Sequence, residues 1–132
     1  MRFTLKLWIF TTIISPFLIA IVLGIFINKS KFDSILNSYE IIFIMIITGG
    51  ILSLPSMIFL YLIKRNLKSS FSNWLKKSIL SIYSFSSVWV TFYIVDKRFI
   101  TSWSEQTIWV LVYSLTIVLG IWILKIPKNE IN

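Results

Sequence analysis

The sequence predicts an all-α integral membrane protein whose four transmembrane helices form an up-and-down bundle. Three observations predict this fold. The 132 residues are 57% hydrophobic and 14% charged, whereas soluble domains carry about 25% charged residues. Four apolar runs are each long enough to cross the hydrocarbon core of a bilayer, which takes about 20 residues. Basic residues cluster between and beside these runs. We expect one domain, residues 1–132, with spans at about 7–28, 41–63, 75–95 and 106–126.

The connection Lys64–Lys77 sets the predicted orientation. It holds five basic residues and no acidic residue, and short loops rich in Lys and Arg are retained on the cytoplasmic side. With the N-terminal residues and the C-terminal tail, this side would hold nine of the thirteen basic residues. We therefore expect both termini to be cytoplasmic.

The first span follows Arg2 and Lys6. A charged start before an apolar run also describes a signal peptide, but the length of the run and the lack of an A-x-A site favour a retained span. Small residues recur at every fourth position and would let neighbouring helices approach closely in lipid. The proline among them should kink the helix. The predicted packing residues are Thr12, Pro16, Ala20 and Gly24.

The first outer loop, residues 29–40, predicts a short amphipathic helix. Its apolar residues follow the i, i+3, i+4, i+7 pattern of one helix face. They are Phe32, Ile35, Leu36 and Tyr39.

The centre of the second span combines two glycines with a proline. This composition invites a bend or a local break, and broken helices mark substrate sites in transporters. Gly and Pro are also commoner in membrane helices than in soluble ones, so ordinary packing is the alternative. The residues assigned to packing or to a pocket are Gly49, Gly50, Ser53, Pro55 and Ser56.

The third span is rich in hydroxyl groups, and Ser84, Ser87 and Thr91 share one face. Such hydroxyls can bond to their own helix or to another helix, or they can line a wet path. We expect this seam to face the bundle and assign it to packing or to a pocket. In the fourth span, Thr116 and Gly120 share a face and are predicted to pack against a neighbouring helix.

The composition excludes several kinds of chemistry. The chain has no Cys and no His, which excludes a structural zinc site, a haem held by His or Cys, and Cys- or His-based catalysis. The acidic residues fall in loops or at span ends, so no carboxylate stands in a span as a proton relay. We expect neither enzymatic activity nor a cofactor.

The charge of +8 is interpreted as topological, and no nucleic-acid partner is expected. The five basic residues of the central loop are predicted to contact anionic lipid. The many isoleucines and the single alanine, Ala20, are typical of an AT-rich genome and indicate the bacterial cytoplasmic membrane. The predicted lipid contacts are Lys64, Arg65, Lys68, Lys76 and Lys77.

Three functions fit these features. The first is a small membrane protein that acts by contact, either as an accessory subunit of a membrane complex or as an immunity-type protein, with a protein partner or its own copies. The second is a self-assembled pore or membrane-perturbing effector of holin or phage-defence type. The third is a carrier or flippase for an anionic lipid-linked molecule, with its pocket at Gly49–Ser56.

Overall fold

The computed structural model describes residues 2–27, 39–67, 70–103 and 105–126, and every regular element in these ranges is helical. Four of the helices are long and apolar enough to cross a membrane. The prediction of an all-α chain with four membrane-length helices is confirmed. The helices are α1 (Arg2–Ile21, continued by a π-helical segment, Val22–Ile27), α2 (Tyr39–Asn66), α3 (Asn73–Val95), the short α4 (Arg98–Thr101) and α5 (Glu105–Ile123).

The helix ends differ from the predicted spans by a few residues. Helix α1 begins at Arg2 rather than at residue 7, and α5 ends at Ile123 rather than at residue 126. The earlier end of α5 has a local reason, since Pro127 disfavours the α conformation at the residue before it. The amphipathic helix predicted at 29–40 lies outside the described residues, apart from the two residues that begin α2.

The four long helices form a closed ring. Helix α1 packs against α2 and α5, and α3 packs against the same two helices from the opposite side. An apolar cluster joins the beginnings of α1 and α3 to the ends of α2 and α5. We call this the basal cluster; its members are Phe3, Leu7, Leu60, Leu67, Leu80 and Ile121.

The polarity of the bundle is inverted relative to a soluble protein. Large aliphatic and aromatic side chains cover the outside, whereas many buried residues carry hydroxyls. Small and hydroxyl-bearing residues between helices are typical of packing in lipid, where burying leucine brings no advantage. The buried hydroxyl residues are Thr4, Thr11, Thr12, Ser15, Ser84, Thr107, Ser114 and Thr116.

Helix α2 is continuous through Gly49, Gly50 and Pro55. The local break that this composition invited is therefore not found. A proline removes only one backbone donor, and a membrane helix tolerates this loss where neighbouring groups satisfy the freed carbonyl. Pro16 likewise lies inside α1.

Gly120 marks a close approach between two helices. A Cβ atom added at Gly120 would lie 2.6 Å from the Cδ1 of Leu7 and 3.2 Å from the Cδ1 of Phe10, so α5 meets α1 at this point. Gly50 faces Thr12 with more room, because its added Cβ would lie 3.5 Å from the Cγ2 of Thr12. Of the other predicted packing residues, Pro16 and Thr116 are buried, whereas Ala20 and Gly24 are half-buried.

The turn after α3 is held by a carboxylate. Asp96 Oδ1 accepts a hydrogen bond of 2.9 Å from the backbone N–H of Arg98. This bond holds the pKa of Asp96 below its usual value, and the adjacent guanidinium charge acts in the same direction. The carboxylate is therefore ionised at neutral pH, and the turn keeps its contact with Arg98.

Candidate functional site

The ring of helices encloses a cavity of about 280 Å³ to which all four long helices contribute. It extends from Thr4 and Leu60 near the basal cluster to Val95 and Phe99 at the other end. Along α3 the lining residues run from Tyr83 to Val95, which is about 18 Å at 1.5 Å per residue. The cavity is therefore elongated along the bundle.

A closed set of hydrogen bonds joins α2 to α3 along one wall. Ser87 Oγ donates to Ser56 Oγ at 2.7 Å, and Thr91 Oγ1 donates to the Ser87 carbonyl at 2.8 Å. Ser56 Oγ lies 3.3 Å from Thr91 Oγ1. Because the single proton of Thr91 is already used, Ser56 must be the donor in this contact. All three hydroxyl protons therefore form bonds within the protein, and the predicted seam connects two helices.

Trp8 closes the cavity on the side of α1 and α2. Its indole N–H donates to Ser53 Oγ at 2.7 Å, and Ser53 Oγ donates to the Gly50 carbonyl at 3.0 Å. Trp8 and Thr12 line both the cavity and a groove on the outer surface between α1 and α2. These two side chains therefore separate the interior from the outside. Sequence reasoning missed Trp8, although an indole donor inside an apolar span requires an acceptor nearby.

Gly49 makes room for Tyr113 in the cavity wall. A Cβ atom added at Gly49 would lie 2.7 Å from the Tyr113 hydroxyl. The tyrosine ring also packs against Phe92, with 5.7 Å between the ring centroids. Sequence reasoning assigned Gly49 to a possible pocket, but the tyrosine that faces it comes from another helix.

The surface inside the cavity is almost entirely apolar. The hydroxyls of α2 and α3 described above are used in bonds between helices, so carbon atoms form most of the wall. Thr4 and Ser84 also line the cavity, and each has a buried hydroxyl oxygen with no hydrogen-bond partner in the described ranges.

Most residues assigned to a possible pocket meet at this cavity. Gly50 lies beside it, in the contact of α2 with α1, and Pro55 is exposed on the outer face of α2. Those that line the cavity are Gly49, Ser53, Ser56, Ser84, Ser87 and Thr91.

The basic residues predicted to contact lipid occupy different environments. Lys64 and Lys76 are only 2% and 4% exposed, and Lys64 Nζ lies 5.3 Å from the centre of the Phe3 ring. Lys77 Nζ donates to the Trp122 carbonyl at 2.7 Å. Arg65 is exposed, whereas Lys68 lies outside the described residues. Contact of these residues with anionic lipid stays a prediction.

Comparison of the chain with protein-family models, with curated proteins and with solved structures finds no match. The function of the chain is therefore inferred from the geometry of the bundle and of its cavity.

Proposed function

We propose that this chain is a non-enzymatic four-span protein of the bacterial cytoplasmic membrane that binds the apolar chain of a lipid-like molecule inside its helix bundle. The supporting observation is the long, apolar cavity between the four helices. Of the functions predicted from the sequence, this is closest to a carrier for a lipid-linked molecule. Its pocket combines Gly49–Ser56 with residues from all the other long helices.

The chemistry of the wall favours an apolar occupant over water. A buried water needs two to four polar partners, whereas apolar cavities bind apolar molecules. Filling 280 Å³ would contribute on the order of 7 kcal/mol, at the roughly 24 cal/mol per Å³ found for cavities in protein cores. Proteins are stable by only about 5–15 kcal/mol, so an occupant would change the stability of this bundle substantially.

The same geometry supports binding over catalysis. Among the described residues, those that line the cavity include neither a carboxylate nor a basic side chain. A general acid or base must lie within hydrogen-bonding distance of the reacting group, and within the described part of this cavity only hydroxyl, phenol and indole groups are placed in that way.

The distribution of charge supports the proposed orientation. The described Lys and Arg residues number nine, and seven of them belong to the end of the bundle that holds the basal cluster. Because basic residues accumulate on the cytoplasmic side, we place this end and both termini in the cytoplasm, in an up-and-down topology. The seven are Arg2, Lys6, Lys64, Arg65, Lys76, Lys77 and Lys125; Lys97 and Arg98 lie at the other end.

A pair of substitutions on α3 tests the proposed binding. Val88 lines the cavity, whereas Val90 is 56% exposed on the outer surface. We expect Val88→Phe to displace the bound chain and to lower occupancy about tenfold or more, because overpacking costs about 1–3 kcal/mol. Val90→Phe should leave occupancy unchanged. Native mass spectrometry of protein released from nanodiscs, with mass analysis of the released lipid, measures occupancy.

The wild-type protein must carry a lipid-like molecule in that experiment. A wild-type protein released without one, or equal occupancy in both variants, would contradict the proposal. Loss of binding in Val90→Phe alone would show that the molecule lies on the outer surface.

Contact with a protein partner is the second candidate function, and one observation favours it. Only 6% of the most apolar window of α2 is buried in the bundle, compared with 33% for α5. Helix α2 therefore offers the largest outward surface for another membrane protein. A photocrosslinker at Ile51 on α2 should then give a protein adduct in cells, whereas one at Leu115 on the outer face of α5 should not. Adducts at neither position would contradict this candidate.

The pore hypothesis has no such observation in its favour. Ser56 and Ser87 use their protons in bonds between α2 and α3, and Thr91 uses its proton in a bond to the Ser87 carbonyl, so this wall offers water few donors. Formation of a pore by several copies stays a prediction.

A further inference from the structure

Two hydroxyl groups distinguish one part of the cavity. Thr4 on α1 and Ser84 on α3 both line the cavity, and they are 0% and 2% exposed. Neither hydroxyl oxygen has a hydrogen-bond partner in the described ranges. Both oxygens have almost no accessible surface, so they lie just beneath the cavity wall, on two helices that stand on opposite sides of the ring.

Some other buried hydroxyls of the bundle bond to their own helix, and three more that have no partner in the described ranges do not line the cavity (Ser15, Ser81 and Thr107). Thr11, Ser114 and Thr116 each donate to the carbonyl four residues earlier, at 2.7–2.9 Å. Thr4 lies in the first turn of α1, where the helix has no carbonyl four residues earlier. Ser84 has such a carbonyl but does not bond to it. To bond to an occupant, each hydroxyl would have to turn towards the cavity by a rotation about χ1.

An unpaired hydroxyl in an apolar environment is unfavourable. A ligand oxygen at this position would remove that penalty, whereas a pure hydrocarbon would not. The remainder of the cavity, towards Val95 and Phe99, is apolar and elongated along α3, which suits an extended hydrocarbon chain. The arrangement is therefore complementary to a molecule with an oxygen-bearing head and a single hydrocarbon tail.

We infer that the molecule bound in the cavity is a single-chain amphiphile, a long-chain fatty acid or a monoacylglycerol, whose head group bonds to Thr4 and Ser84 while its tail extends towards Val95 and Phe99. This inference rests on the proposed function, because it assigns the chemical class of the molecule that the cavity binds. Lys64 and Lys76 are buried near the same end. Each interacts with other groups, and their positive field favours an acidic head over a neutral one.

Two photoactivatable probes with the same long chain test the inference. One ends in a carboxyl group and the other in a methyl group, and both are added to the full chain in nanodiscs. The variants are Thr4→Val and Ser84→Ala, alone and together. The matched controls are Thr116→Val and Ser114→Ala, which remove buried hydroxyls that bond only to their own helix. Labelling of the cavity is read by mass spectrometry of peptides from α2 and α3.

We expect the acid probe to label the wild type and both controls strongly, and to label the double variant about tenfold less, since two hydrogen bonds are lost. The methyl-terminated probe should label all variants equally. Thr4→Ser, which keeps the hydroxyl, should retain labelling and shows that any loss in Thr4→Val is not caused by misfolding. If a monoacylglycerol competes with the acid probe as effectively as a fatty acid does, an uncharged head group is sufficient for binding.

The outcomes separate the two proposals. Equal labelling by both probes in every variant would overturn the assignment of the head group and leave binding of an apolar chain intact. If neither probe labels the cavity of the wild type, the proposed function itself fails. Equal losses in the controls and in the double variant would also overturn the inference, because the effect would then come from packing.

Discussion

Replacing Gly120 by alanine is expected to destabilise the bundle by about 2 kcal/mol, within the range of about 1–3 kcal/mol for overpacked cores. The added Cβ would lie 2.6 Å from Leu7 Cδ1 and 3.2 Å from Phe10 Cδ1. Leu7 is fully buried in the basal cluster, so it has little freedom to move aside. Helices α1 and α5 would have to separate, and the ring would open at this seam.

Gly50 provides the matched control, because it is also a buried glycine within a long helix. Its added Cβ would meet Thr12 and Trp8 at the ordinary contact distances of 3.5 and 3.7 Å. Gly50→Ala should therefore be neutral or stabilising by up to about 1 kcal/mol, through the higher helix propensity of alanine. Unfolding followed by circular dichroism in mixed micelles with increasing SDS measures both variants. A shift of the same sign and size in both would contradict the close approach of α1 and α5.

Trp8→Ala is expected to speed the exchange of the bound molecule about tenfold or more, because removing the indole ring lowers the barrier to leaving the cavity, and about 1.4 kcal/mol off a barrier is tenfold in rate. Trp8 and Thr12 separate the cavity from the outer groove between α1 and α2. Without the indole ring, the cavity would open sideways towards the surrounding lipid. Native mass spectrometry after mixing with an isotope-labelled fatty acid measures the rate of exchange.

Trp8→Phe separates the two roles of the indole. It keeps an aromatic ring but loses the hydrogen bond to Ser53 Oγ. Losing one hydrogen bond costs about 1 kcal/mol, which corresponds to about fivefold in rate. We therefore expect Trp8→Phe to lie between the wild type and Trp8→Ala. Exchange at the wild-type rate in Trp8→Ala would show that the molecule reaches the cavity by another path.

Much of the fold follows from local patterns in the chain. A long apolar run can be recognised because a backbone that crosses lipid must satisfy its own hydrogen bonds, and a helix does so within one segment. The faces that carry Ser84, Ser87 and Thr91, or Thr116 and Gly120, follow from helical periodicity alone. Helix ends are harder to place, since contacts with other helices, such as the bond from Lys77 to the Trp122 carbonyl, lie at them.

The candidate site could be predicted only in part. Glycine and serine residues of α2 pointed to a pocket, because small side chains leave space wherever helices meet. Tyr113 and Trp8 were not assigned to it, since nothing in an isolated span shows which bulky side chain from another helix fills that space. The sequence also could not show that the Thr4 hydroxyl lacks a hydrogen-bond partner in the described ranges. That property depends on which helices pack around it.

The sequence by itself determined that four helices are long and apolar enough to cross a membrane, because length and hydropathy are properties of each segment alone. Only the tertiary structure decided that these helices form a closed ring, that Ser56 bonds to Ser87, and that the ring encloses a long apolar cavity. Such features depend on distances between residues more than thirty positions apart. Side-chain packing sets those distances, and no local pattern in the chain encodes them.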